Sequence, residues 1–202
     1  MIKYIMTALA IGIVTGYSND VWGSMIVNDV ISHYLFDGSL ILLLFVMGVS
    51  FGSGKELVGK LGKAGFKVLV IPLAVALGSI LGGLVGGLIL GVDVILTMAV
   101  SAGYGWYTLA GPLIGQIFGL ELGALGFTVN FLRELLTITT VSLTAKIDKY
   151  APIASGGATA MDTTLPIIVR YCGSDVLIAA FSSGFMLTIT APFTILAIAS
   201  LR

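Results

Sequence analysis

SAGYGWYTLAGP, residues 101–112, and SGGATAMDTTLP, residues 155–166, share one frame: Ser-x-Gly, eight further residues, then Pro. Both lie within apolar sequence of membrane length. Glycine and proline interrupt helices, and interrupted backbone at membrane depth survives only where it is buried in protein or lines a polar cavity. Two such segments at corresponding places in two repeats are the sequence mark of a transporter's binding site. The second copy also carries Asp162, a carboxylate in an otherwise uncharged run.

The rest of the chain supplies the setting. Of its 202 residues, 57% are hydrophobic and 10% charged, where a soluble domain carries roughly 25% charged residues. So much apolar surface needs lipid as its solvent, and the composition predicts an all-α polytopic membrane protein. The formal net charge is zero, which argues against a nucleic-acid partner. The single Cys172 excludes an internal disulfide and offers no metal cluster. His33 stands among Asp29, Asp37 and other polar residues and reads as a solvated loop histidine. No Walker motif, zinc-ligand set or nucleophile–histidine arrangement is present, so the chain does not read as an enzyme. The only cofactor-like species it calls for is a coupling proton or sodium ion.

Taking about 20 residues per helical crossing, five spans stand out near 2–17, 34–52, 66–91, 121–145 and 175–200. Lys3 before the first could mark a signal peptide, but no small-x-small site precedes Ser18-Asn19-Asp20, and a first transmembrane helix is the preferred reading. The broken segments fall at 93–119 and 150–173. Lys55, Lys60, Lys63 and Lys67 cluster at one loop, and Lys146 and Lys149 flank another; loops rich in lysine stay cytoplasmic. For both to be inside, segment 93–119 must start and end outside, as a re-entrant hairpin, and 150–173 must start and end inside. This places the N-terminus inside and Arg202 outside. If both broken segments crossed fully, the repeats would instead be parallel and Lys146 would lie outside. The preferred arrangement is one membrane domain over 1–202: N-terminal helices in 1–65, a first repeat at 66–119, an inverted second repeat at 121–173 and a last helix at 175–200.

Few ionisable residues lie deep in these segments. Arg133 and Glu134 sit at the middle of span 121–145, and Asp162 at the middle of the second hairpin. An intramembrane charge costs at least about 2.5–3.5 kcal/mol, so it needs a partner, a cavity or a proton. Asn130, Glu134, Thr137 and Val141 share a helix face by their spacing, and that face suits a cation or an ammonium group. A bland alternative is a buried bridge from Arg133 to Asp162. Gly103, Gly105, Gly156 and Gly157 would let backbone approach a ligand closely. Ser101, Thr108, Ser155, Thr159, Thr163 and Thr164 add hydroxyls, each of which could equally bond back to its own helix. Trp106 and Tyr107 are packing residues by default, with gating or cation–π contact as the sharper alternative. Gly78, Gly82, Gly83 and Gly87 have the small-x3-small spacing of close helix contact.

The runs SAGYGWYTLAGPLI, LGALGFTVNFLRELLT and SGGATAMDTTLPIIVRY resemble the bacterial and archaeal lysine exporter O family, over essentially the whole chain. The resemblance implies export of L-lysine, resistance to the toxic analogue thialysine, and two intramembrane acidic residues that matter for transport. They match Glu134 and Asp162. It also implies an inner-membrane location with the carboxyl terminus outside. Longer members resemble this chain only after an additional N-terminal membranous stretch, so the expected partners include a separate small N-terminal membrane subunit or further copies of this chain in a homo-oligomer.

The expected function is secondary transport of a cationic amino acid outward, by antiport with a cation. The substrate or ion site would comprise Glu134, Asp162, Asn130, Arg133, Gly103, Gly105, Tyr107, Ser155, Gly156, Gly157, Thr163 and Thr164. A sodium/proton antiporter, or a non-transporting membrane subunit of a larger transporter, are the alternatives.

Overall fold

An uninterrupted apolar run forms α1 (Lys67–Leu90), which stops at Gly91, a glycine with φ +65°. Asp93 restarts the chain: its carboxylate accepts from the Ile95 N–H at 2.9 Å and caps the short helix α2 (Val94–Ser101). The chain then breaks across 102–106, resumes as α3 (Tyr107–Phe118) and turns at Gly119, φ +109°. The longest helix, α4, follows (Leu120–Ile147). A second broken stretch comprises α5 (Ala151–Gly156), a 3-10 turn (Gly157–Met161) and α6 (Leu165–Cys172). After Gly173 and a 3-10 turn over Ser174–Val176, the last helix is α7 (Leu177–Ala199). Pro152 and Pro166 fall in the first turns of α5 and α6, where a missing N–H removes no helical bond.

This computed structural model describes residues 67–202 continuously and scattered positions between 7 and 49. The chain divides into two compact units, Met1–Phe51 and Gly52–Arg202. In the first, the described positions within 7–18 and 38–49 are helical, and Thr15 and Ser18 bond back to the carbonyls of Ile11 and Val14. The expected spans 2–17 and 34–52 lie partly outside the described residues, and His33 and lysines 55, 60 and 63 lie wholly outside them. Among the described residues there is no strand, in keeping with an all-α chain. The segments 66–91, 121–145 and 175–200 are helical, as α1, α4 and α7.

Contacts between element ends define the layout of the second unit. Val70 and Ile71, near the start of α1, line one groove with Asp148 and Tyr150, just past the end of α4. Lys149 pairs with Asp175 at the surface, so the second broken stretch starts and finishes at that same end of the bundle. At the other end the Arg202 guanidinium lies over the Phe118 ring, 5.3 Å from its centroid. The first broken stretch accordingly starts and finishes there. α2 has 8 residues and α3 has 12; at 1.5 Å per residue each is far shorter than a bilayer core of about 30 Å. Between the ends, the two breaks meet: the Ala158 N–H donates to the Tyr104 carbonyl at 2.9 Å.

Glycine allows the closest helix contacts. A Cβ at Gly123 would stand 2.7 Å from Gly115 Cα and 2.8 Å from the Gly111 carbonyl oxygen, so α3 and α4 touch backbone to backbone. Gly83 plays the same part between α1 and α2, where a Cβ would meet the Thr97 carbonyl at 2.6 Å. Gly78, Gly82 and Gly86 face open space, so only one of the two small-residue spacings of α1 is used among the described residues. Leu73, Leu77, Leu81 and Leu88 of α1 and Leu132, Leu136 and Leu143 of α4 are exposed. Together with the two helices long and apolar enough to cross a membrane, Leu69–Leu90 and Ser174–Ala199, this is the inside-out pattern that lipid favours.

Gly123→Leu would force α3 off α4, an overpacking cost of roughly 1–3 kcal/mol, and should lower the thermal unfolding midpoint in nanodiscs. Gly82→Ala, which meets nothing, should leave that midpoint unchanged or raise it.

Candidate substrate site

α4 carries the centre of the site on one buried stripe: Gly123, Gly126, Asn130, Glu134, Thr137 and Val141. Residues at these spacings project to one side of a helix. The glycines at the start of the stripe admit α3, and the polar residues further on meet the two chain breaks.

Asn130 is 2% exposed, and its amide is fully engaged. Its Oδ1 accepts the Gly105 N–H at 2.7 Å, and its Nδ2 donates to the carbonyls of Val100 and Gly126, both at 2.9 Å. It thus clamps the first break on both sides. Arg133 treats the second break similarly. Its Nε donates to the Ser155 carbonyl at 2.9 Å, Nη2 to the Ala154 carbonyl at 3.0 Å and Nη1 to Ser79 Oγ at 2.9 Å. The Arg133–Asp162 bridge considered from sequence is not formed; among the described residues the guanidinium is held by carbonyls and a hydroxyl instead.

Glu134 is 8% exposed, and its Oε2 is buried with no hydrogen-bond partner. A buried carboxylate oxygen without a donor is costly, and this one sits on the stripe of α4 between Asn130 and Thr137. The Tyr107 phenol lies close to Glu134 and within electrostatic reach of Asp162. The ring itself is fixed by edge contacts to Phe127 and Phe131, with centroids at 5.3 and 5.4 Å. Asp162 closes the 3-10 turn; its Oδ1 accepts the Thr163 N–H at 2.6 Å, and both residues are exposed in this unit.

The remaining expected residues divide between packing and support. A Cβ on Gly103 would meet Ala110 Cβ and Asn130 Oδ1, both at 2.7 Å. Gly105, φ +96°, lies against the Gly156 carbonyl, and Gly157, φ +62°, against the Tyr104 carbonyl and Arg133. Their near neighbours are therefore the opposing break and its clamp. Ser155 Oγ shares a hydrogen bond with Thr137 Oγ1 at 2.9 Å. Thr164, fully buried, shares one with Thr159 at 3.2 Å. Thr137 also bonds back to the Arg133 carbonyl.

Two residues escaped the sequence reading. Ser79 is the only hydroxyl on α1, set in an apolar run, and that isolation is a signal in itself. Tyr104, fully buried with φ +52°, supplies the carbonyl that joins the breaks, and nothing in its spacing announces this. A groove nearby, about 740 Å³, is lined by Val70, Ala74, Val75, Gly78 and Ala154, with Arg133 and Asp148 as its charged residues. Neither Glu134 nor Asp162 lines it.

An apolar helical bundle with two facing chain breaks and a buried carboxylate oxygen without a partner has the form of a membrane transport protein rather than an enzyme. The family model described as "Lysine exporter LysO" matches residues 6–199, and the chain belongs to that exporter family. It is 32% identical over 161 residues to the lysine exporter LysO of Escherichia coli, covering 78% of this chain and 52% of that protein. It is 28% identical over 196 residues to a Haemophilus influenzae protein named "Putative lysine exporter", covering 93% of both. The chain thus spans about half the length of the first relative and nearly all of the second. No solved structure matches.

Asn130→Ala would leave the Gly105 N–H without its acceptor inside the bundle, a loss of roughly 1–3 kcal/mol. The expected result is a lower unfolding midpoint and faster hydrogen exchange at residues 102–106, read by mass spectrometry.

Proposed function

We propose that the protein is a secondary transporter that exports a cationic amino acid, with lysine as the first candidate. The observation that carries this reading is the partnerless Oε2 of Glu134, buried on the same stripe of α4 as Asn130, which holds the first break. An ionised carboxylate there needs a cation: the substrate's side-chain ammonium, a sodium ion or a proton. Asp162 is the second anionic group, within electrostatic reach of the same phenol as Glu134. The names of both relatives, each a lysine exporter in words, support lysine over other cations.

The two broken stretches are re-entrant hairpins in this reading, and their repeats are inverted. Support comes from the shared ends described above and from lysines at 146 and 149 lying at the end where the second hairpin opens. With that end cytoplasmic, α1, α4 and α7 cross fully and Arg202 lies outside. Together with two crossings in the N-terminal unit this makes five. The tips then meet at the membrane midplane, where inverted-repeat transporters hold their substrate.

Outward movement of a positive substrate opposes an inside-negative potential by about 2.3 kcal/mol per charge at 100 mV. Antiport with an incoming proton or sodium ion offsets that cost. Thialysine, which keeps both the ammonium and the amino-acid groups, is expected to be carried as well.

Expression in a bacterium lacking its own lysine exporter tests the reading. Wild type should confer lysine efflux and survival on thialysine, and both should be lost in Glu134→Gln and in Asp162→Asn at equal membrane levels. A wild type that inserts well yet moves no lysine would overturn it. Cation-driven pH change without any amino acid would point instead to a sodium/proton antiporter.

A further inference from the structure

Glu134 and Asp162 stand on different elements, and their separation is set by whatever holds the second break against α4. We propose that Arg133 is a positioning residue: it fixes the second tip, and with it Asp162, relative to Glu134. For its functional consequence the proposal rests on the cation-site reading of the two carboxylates; its geometry does not.

Three observations carry it. The guanidinium reaches three acceptors on two elements, the Ala154 and Ser155 carbonyls of α5 and Ser79 Oγ of α1. The α5 carbonyls of Ala154 and Ser155 lie in the last turn of a helix that ends at Gly156, so no further α-helical turn receives them. The chain also makes room for the contact: a Cβ at Gly157 would stand 3.1 Å from Arg133 Cζ. A planar fork of N–H donors serves such a spread of acceptors better than a point ammonium does. The first break is held in the same way from the same helix, by Asn130 three residues earlier. Arg133 and Asn130 are thus a matched pair of clamps, one for each tip, and Oε2 of the neighbouring Glu134 is left without a partner.

A competing role for Arg133 is direct capture of the substrate's own carboxylate, and one experiment separates the two. Cysteines at Glu121 and Thr163, in a Cys172→Ser background, take spin labels for distance measurement in nanodiscs. Arg133→Gln should broaden or shift the distance distribution, and Arg133→Lys should fall between Gln and wild type. In unlabelled protein, efflux of lysine and of cadaverine, which lacks the carboxylate, should lose maximal rate by the same factor in Arg133→Gln, about tenfold or more. The KM values should move less than about twofold. An unchanged distance distribution overturns the proposal, and so does a loss confined to lysine with cadaverine spared. Should wild type move neither compound, the transport reading falls while the distance measurement still decides the positioning role.

Discussion

Backbone polar groups inside an apolar bundle must find partners within the protein, because neither lipid nor bulk water reaches them. Each chain break in this protein exposes such groups at mid-bundle, and α4 supplies the partners: Asn130 for Gly105 and Val100, Arg133 for Ala154 and Ser155. The joint between the breaks adds one more bond, from the Ala158 N–H to the Tyr104 carbonyl. Without α4 neither break could be kept at depth. The long helix is therefore the scaffold on which the irregular parts are assembled.

That arrangement sets the electrostatics. Of three polar residues within five positions on α4, two are consumed by backbone and one, Glu134, keeps a bare oxygen. The positive charge of Arg133 is spread over carbonyls and a serine and is not spent on a carboxylate among the described residues. The aromatic trio of Tyr107, Phe127 and Phe131 walls one side and holds the phenol in place.

Much of this was legible in the sequence. The ends of α1 and α4 fall within two residues of those expected, since long apolar runs closed by glycine or aspartate leave few alternatives. The shared stripe through Asn130, Glu134, Thr137 and Val141 followed from helical spacing alone. The breaks announced themselves by glycine, whereas Pro112 lies inside α3 and Pro166 in the first turn of α6. What spacing does not hold is which partner a polar group takes when several are in reach. Arg133 looked like a partner for Asp162 because both are charged, but the unspent carbonyls of α5 lie nearer, and carbonyls leave no mark in a sequence. The tip glycines looked like a cradle for a ligand. In the fold Gly105 and Gly157 are held at positive φ against the opposing tip, a long-range contact that local pattern does not carry.

Tyr104 stands between Gly103 and Gly105 in a conformation that disfavours side chains, at a cost of about 1–2 kcal/mol. It is also wholly buried, so its ring fills volume that would otherwise be void. A glycine in its place would relax the chain and empty the cavity, and the two effects oppose one another. Folding stability is therefore a poor guide to the importance of this position. Selection that acts only on whether the protein folds would leave it free to drift, whereas selection on the shape of the junction would hold an aromatic ring where the backbone prefers none.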